Sequence, residues 1–190
     1  MIRHLLQTLR LLLVSALAGA AWVAHRPADL PVPPQAGAVK NDDMLDMLRQ
    51  TAIKRAAAME ISEAEINRHL KTVLSGKVAN MFGGWVTFEG ARVDLEPDSA
   101  RLFLIWNLKG HVRTASVDLA ISRDADHFHV ELLRGAYGHL QMPRGMMRPI
   151  YPALTSVAEA LDPEIKALFQ MTKITIAKDK LVLDPRFPPT

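Results

Sequence analysis

His127 and His129 are the pair whose residue type and spacing come nearest to chemistry in this sequence. Residues two apart on a strand share a face, so both imidazoles could reach one metal ion. Spacing fixes no third ligand, however. Phe128 and Val130 are the residues an alternating strand turns to the core, which puts both histidines on the wetter face. Solvated strand histidines are the expectation, and no metal ligand is assigned. His111 and His139 have no local partner. Asp94, Glu96 and Asp98 cluster at a strand end, where carboxylates commonly keep a turn hydrated. There is no G-x-S-x-G, S-x-x-K or H-E-x-x-H frame for hydrolysis, and no glycine-rich phosphate loop; Gly83-Gly84 is a turn signal. The chain has no cysteine, which excludes disulfides, thiol catalysis and thiolate-held metal. The expectation is a non-enzyme with no catalytic residue and no cofactor.

A surplus of apolar residues is more telling. In the segment RLFLIWNL, Leu102, Leu104, Trp106 and Leu108 alternate onto one face of a strand, and Phe103 and Ile105 onto the other. A small antiparallel sheet needs only one apolar face. Either other elements cover both sides, or one side lines a cavity for an apolar ligand. Further on, MPRGMMRPIYPAL sets the adaptable side chains of Met142, Met146 and Met147 beside Arg144 and Arg148, and arginines suit lipid phosphates.

The elements that would position these residues can be read from periodicity and punctuation. Asn41 or Asp42 can cap a helix running through MLDMLRQTAIKRAAAME, with Met44, Leu45, Leu48 and Ala52 on one face. Ser62 and Glu65 form a capping box, flanked by Ile61 and Ile66 at the positions of a hydrophobic staple. Ile66, Leu70, Val73 and Leu74 continue as an apolar stripe, and Gly76 can end that helix. From Trp85 the period shifts towards two. WVTFEGARVDLEP is a strand bent at Gly90, followed by a turn at Pro97-Asp98-Ser99. Arg101–Leu108, a strand around Val112–Ile121, a turn at Arg123–Asp126 and a strand from His127 to Leu133 complete an antiparallel meander. Residues 135–140 extend the sheet. Met146–Leu161 reads as a helix that Pro149 and Pro152 delay or kink, and Asp162-Pro163 opens another. TKITIA and KLVL form a closing hairpin.

The domain is preceded by a segment of different character. Met1–Arg10 is positively charged, and Leu11–Ala24 is an apolar run of about 14 residues, within signal-peptide length. Ala18-Gly19-Ala20 supplies a small-x-small cleavage pattern, with the cut after Ala20. Counted from Leu5, the run reaches roughly 20 residues, enough for a tilted span with Trp22 at the interface. Both fates remain open, with retention favoured. The expected divisions are a signal peptide or membrane anchor over 1–25, a proline-rich linker over 26–40 that holds the domain off the membrane, an α+β domain over 41–185 and a tail over 186–190. Arg3 and Arg10 carry two of the three net positive charges, so the remainder is near about +1. No basic stripe interleaved with aromatics points to nucleic acid. The expected location is the inner membrane, single-pass with the domain on the extracytoplasmic side, or secretion after cleavage near Ala20.

The order ISEAEINRHL, strand meander, GAYGHLQMP and ITIAKDKLVLDP resembles that of bacterial exported proteins of the YpmS-like and LmeA-like kind, over roughly residues 61–185. That resemblance implies a tubular lipid-binding (TULIP-like) α+β fold: a curved antiparallel meander packed on a long capped helix, with an apolar groove between them. It implies no catalytic residue. The groove would be lined by Ile66, Leu70, Val73 and Leu74 from the helix and Leu102, Leu104 and Trp106 from the sheet. The function expected on this basis is binding or presenting a lipid or other long apolar ligand in the cell envelope. The alternative is a non-enzymatic scaffold or accessory subunit of a membrane protein complex, with an envelope protein as partner. A metal-dependent enzyme using His127 and His129 is the third reading.

Overall fold

A computed structural model describes residues 2–30, 44–55, 57–75, 86–124 and 127–186. The first helix, α1 (Ile2–His25), stands out from the rest of the protein, with its leucines exposed. Its stretch His4–His25 has a mean hydropathy of 1.5 and no buried share, long and apolar enough to cross a membrane or to act as a signal.

The domain is α+β. Its main layer is a curved, unclosed five-stranded antiparallel sheet in simple meander order. The strands are β2 (Val86–Glu96), β3 (Ser99–Leu108), β4 (His111–Asp124), β5 (His127–Tyr137) and β6 (Leu140–Met142). A separate three-stranded sheet has the order β1-β8-β7, from β1 (Met59–Ser62), β7 (Lys173–Ala177) and β8 (Lys180–Asp184). The helices are α2 (Met44–Lys54), α3 (Glu63–Leu74), α4 (Tyr151–Ala160) and α5 (Asp162–Leu168). A 3-10 segment, Arg144–Ile150, precedes α4. Pro149 and Pro152 account for this delay: neither can donate to the backbone ladder of an α-helix reaching back to Arg144.

One sequence expectation is overturned here. The helix through residue 60 ends at Lys54, and Arg55 takes a left-handed φ of 47°. Met59–Ser62 instead form β1, which pairs with β8 from Met59↔Leu183 to Ser62↔Lys180. Alanine-rich propensity favours helix only weakly, and a ladder to a strand 120 residues away overrides it. Leu48 and Ala52 are buried, as their shared face implies. The caps at Asn41 or Asp42, the helix stop at Gly76, the Gly83-Gly84 turn and Trp85 lie outside the described residues.

Two apolar clusters hold the layers together. In the first, Leu70 and Leu74 of α3 meet Ala91, Leu104, Ala115 and Val117 of the five-stranded sheet, together with Met147, Ile150, Ala153 and Val157. In the second, Leu48 and Ala52 of α2 pack with Ile61, Leu95, Ala167, Ile176, Leu181 and Leu183. Each fully buried leucine contributes about 1.5–3 kcal/mol of transfer free energy.

The α3 N-terminus joins the two sheets. Its capping box is complete: Glu65 N–H donates to Ser62 Oγ, and Ser62 N–H donates to Glu65 Oε2 at 2.8 Å. The Ser62 hydroxyl also donates to Glu65 Oε2 at 2.6 Å; this bond, and after it the Ser62 N–H bond, hold the Glu65 carboxyl below its ordinary range. Two further residues of α3 serve β2, the edge strand. The side chain of Asn67, only 5% exposed, donates to Val93 O at 2.8 Å and accepts from Val93 N–H at 2.7 Å. Glu63 Oε2 accepts from Leu95 N–H at 2.8 Å, and Asp179 N–H donates to Leu95 O at 3.1 Å. Edge strands expose unpaired backbone groups; on β2 these four are satisfied without another strand.

Candidate functional site

Six of the seven expected groove residues (Ile66, Leu70, Leu74, Leu102, Leu104 and Trp106) belong to the first apolar cluster. Val73 is half-buried on the same helix. The helix and sheet residues therefore do face one another. Met147, Ile150, Ala153 and Val157 pack between and around them, and Leu104 is fully buried. Two polar tips on this face, Trp106 Nε1 and Tyr137 Oη, are buried without a hydrogen-bond partner among the described residues. Burial pushes the Tyr137 phenol up.

The opposite face of the sheet carries an open cleft of about 260 Å³, with Phe103, Ser116, Gly135 and Ala136 in its lining. Its polar centre is a row of three cross-strand partners, Arg101 on β3, Asp118 on β4 and Arg134 on β5, in direct register. Arg101 Nε donates to Asp118 Oδ1 at 2.6 Å, and Arg134 Nε donates to Asp118 Oδ2 at 2.8 Å. Burial alone would raise the Asp118 carboxyl, but the two guanidiniums outweigh it and hold the carboxyl below its usual range. The same pairing raises Arg101. Two guanidiniums thus share the Asp118 carboxylate, and Arg101 also feels Asp94, its cross-strand partner on β2, and Glu96. The Arg134 side chain is 66% exposed and the Arg101 side chain 40%, so both keep donors turned to the cleft.

A β-bulge builds this row. Strict alternation from Phe128 through Leu132 would turn Arg134 to the same face as Leu132. In the structure Asp118 pairs with Arg134, whereas Leu119 pairs with Leu132, leaving Leu133 as the extra residue. That one insertion keeps Leu132 against the core and sends Arg134 to the outer face. A second bulge, between Phe88 and Gly90, accompanies the bend expected at Gly90, whose φ is 145°.

The chain leaving α1 forms the cleft's rim. His139 N–H donates to Val23 O, Arg113 Nη1 donates to His25 O at 2.8 Å, and Ala28 N–H donates to Thr114 Oγ1 at 2.7 Å. Ala28 and Asp29 then line the cleft. Gly138 makes this approach feasible: its φ is 54°, and a Cβ there would collide with the carbonyl oxygens of Arg26 and Ala24. The start of the proline-rich linker is therefore not a free spacer. Its first residues lie against the sheet because their backbone finds partners there. Pro31, Pro33 and Pro34 lie outside the described residues.

The remaining candidates are placed plainly. His129 is exposed, and the His127 side chain lies outside the described residues. Among the described residues no group of three His, Asp or Glu side chains is positioned to hold a metal ion. His69 on α3 pairs with Glu164 on α5 at 2.9 Å, both largely buried, a contact that joins two helices. The Arg144 side chain lies outside the described residues, and Met147 is a core residue. Sequence reasoning passed over Arg101, Asp118 and Arg134. Asp118 was visible only as one polar member of an alternating strand, and Arg134 falls beyond a bulge that no local pattern marks. No protein-family model matches this chain, and no curated protein matches it in sequence.

Proposed function

We propose that this protein is a membrane-anchored, non-enzymatic domain on the extracytoplasmic side that binds a lipid at the bilayer surface through a phosphate-bearing headgroup. The observation that carries this reading is the Arg101–Asp118–Arg134 row, set in an open cleft whose rim is the chain emerging from α1. Guanidiniums offer fixed donor forks to phosphate. From His25 to Ala28 the chain can span only about 10 Å, so the cleft lies within reach of headgroups. Arg3 and Arg10 ahead of the apolar run favour retention of the N-terminus in the cytoplasm. The cleft's volume, about 260 Å³, falls below the range of about 300–1,000 Å³ for sites that enclose a whole ligand; it suits a headgroup, with the acyl chains left in the bilayer. This moves the lipid-handling role expected from the TULIP-like resemblance from the α3–sheet interface to the outer face.

The test is titration of the full-length chain in detergent with dihexanoyl phosphatidylglycerol and, separately, with inorganic phosphate, observing the arginine Nε–H resonances. Saturable shifts at Arg101 and Arg134 with the lipid are expected, accompanied by shifts of the Gly135 and Ala136 backbone amides that are lost in the Arg101→Gln/Arg134→Gln variant. Equal response to inorganic phosphate would reassign the site to a free anion, and no response would end the reading. A second role, accessory subunit of a membrane complex, is favoured by Ile53 on α2, an apolar side chain left 79% exposed. Loss of a crosslinked partner in the Ile53→Lys variant would support that role.

A further inference from the structure

We infer that the tip of the β3–β4 hairpin, Leu108 to Val112, is a second membrane contact that rests on the lipid surface beside the anchor. This inference depends on α1 being inserted and is independent of headgroup binding in the cleft.

The geometry of the tip and of the anchor converge. Lys109 and Gly110 both take positive φ, 50° and 85°, the conformation of a tight two-residue hairpin turn. Gly110 N–H donates to Asn107 Oδ1 at 2.7 Å, which stiffens the tip. Leu108, paired with His111, and Val112, paired with Asn107, flank the turn on opposite faces of the hairpin, each 37% exposed. Two residues with basic side chains, Lys109 and His111, stand between them, and the neighbouring carboxylate of Glu89 is engaged by Asn107 Nδ2 at 2.8 Å. Apolar side chains beside a cationic one, here Lys109, are the composition that partitions into a headgroup layer.

The anchor sits at the same end of the sheet. Arg113, one residue past the tip, bonds to the backbone of His25, the last residue of α1. The turn at Gly138-His139 contacts Val23 from the neighbouring hairpin. Because Thr114 O accepts from Gly138 N–H, the β3–β4 hairpin overshoots that turn by its last few residues. At about 3.3 Å per residue, the tip reaches about 10 Å beyond the point where the anchor meets the sheet. A 24-residue helix is about 36 Å long, more than the roughly 30 Å hydrocarbon core, so its last turns emerge at the interface. Trp22 in those turns is 65% exposed, with the Arg26 guanidinium 5.3 Å from its ring centroid, a pairing suited to the headgroup level. The surface of the hairpin tip is thus continuous with the interfacial end of α1, and a bilayer that receives one meets the other.

The absence of native cysteine permits a direct experiment. Single-cysteine variants of the full-length chain, Leu108→Cys, Val112→Cys, Leu13→Cys and Gln170→Cys, are labelled with an environment-sensitive fluorophore. They are reconstituted into vesicles of phosphatidylcholine and phosphatidylglycerol, without quencher, with lipids carrying a nitroxide near the headgroup (read at 108, 112 and 170), or with lipids carrying one midway along the acyl chain (read at 13). Each labelled protein must retain the wild-type circular dichroism. The labels at 108 and 112 are expected to shift to the blue and lose most of their emission to the quencher, while the label at 170 stays solvent-like. Labels at 108 and 112 that behave as the one at 170, in vesicles where the label at 13 is quenched, would overturn the inference and leave the anchor standing. A label at 13 that is also unquenched would remove the anchor and the inference together.

Discussion

Replacing Asn67 with alanine removes both hydrogen bonds that the α3 side chain makes to Val93, at 2.8 and 2.7 Å, from a site only 5% exposed. The backbone N–H and C=O of Val93 point off the open edge of the sheet, so no strand replaces the lost partner. Each group left unsatisfied costs about 1–3 kcal/mol, and the pair together about 2–5 kcal/mol. That is a large fraction of the 5–15 kcal/mol by which domains are typically stable. With roughly 2–4 °C per kcal/mol for a domain of this size, the midpoint should fall by about 10 °C. The assay is thermal unfolding of the full-length chain in detergent, followed by near-ultraviolet circular dichroism, because Phe88 and Trp106 pack edge-on within the sheet. Asn67→Asp sharpens the test. Its carboxylate still accepts from Val93 N–H but faces Val93 O with no proton to give, so the variant should be weak at neutral pH. It should recover as acid supplies the donor. A midpoint for Asn67→Ala within about 2 °C of wild type, or a Val93 amide that exchanges no faster, would refute the reasoning that α3 side chains close this edge.

Three other perturbations test other parts of the fold. Gly138→Ala places a methyl against the backbone of Ala24 and Arg26 at a φ of 54°; limited proteolysis should then cut at residues 26–30, which the wild type protects. Tyr137→Phe deletes a buried hydroxyl that has no partner among the described residues, so denaturant unfolding should show stability unchanged or higher by up to about 1 kcal/mol, where loss of a real hydrogen bond would lower it. The depressed Asp118 carboxyl stabilises the fold wherever both states are ionised. As pH falls below about 4 the unfolded chain takes its proton first, and the contribution is lost as pH drops through the lower folded value. Acid titration of the unfolding midpoint should therefore fall less steeply in Asp118→Asn than in wild type.

Much of the framework was legible where chemistry is local. The capping box at Ser62 and Glu65, the bend at Gly90 and the turn at Asp98 each announce themselves within a few residues, since they depend on short-range hydrogen bonds or on backbone freedom. The meander was legible because its strands alternate. What escaped depended on distant partners. Nothing near Met59–Ser62 records that β8 is waiting, so alanine-rich propensity extended the helix too far. The outer cleft escaped because Arg134 reaches Asp118 only through the bulge at Leu133. In ISEAEINRHL, the residues beyond the cap look like ordinary helix surface, yet Glu63 and Asn67 hold the edge of β2. In GAYGHLQMP, Gly135 leaves room for the end of the Met147 side chain, and Gly138 is required because the backbone of Ala24 and Arg26 crosses it. The sequence shows the glycines; only the packing shows what crowds them.

The bonds that seat Val23 to Ala28 on the sheet have a mechanical consequence. A domain on a slack leash can tumble and sample any heading above the bilayer. Here the leash is pinned at His139, Arg113 and Thr114, so the helix and the sheet turn as one piece. With α1 inserted as proposed, its rotation about its own axis becomes a change in the compass bearing of the cleft in the plane of the membrane. Any neighbour that grips the exposed leucines of α1 inside the bilayer would thereby aim the domain outside it.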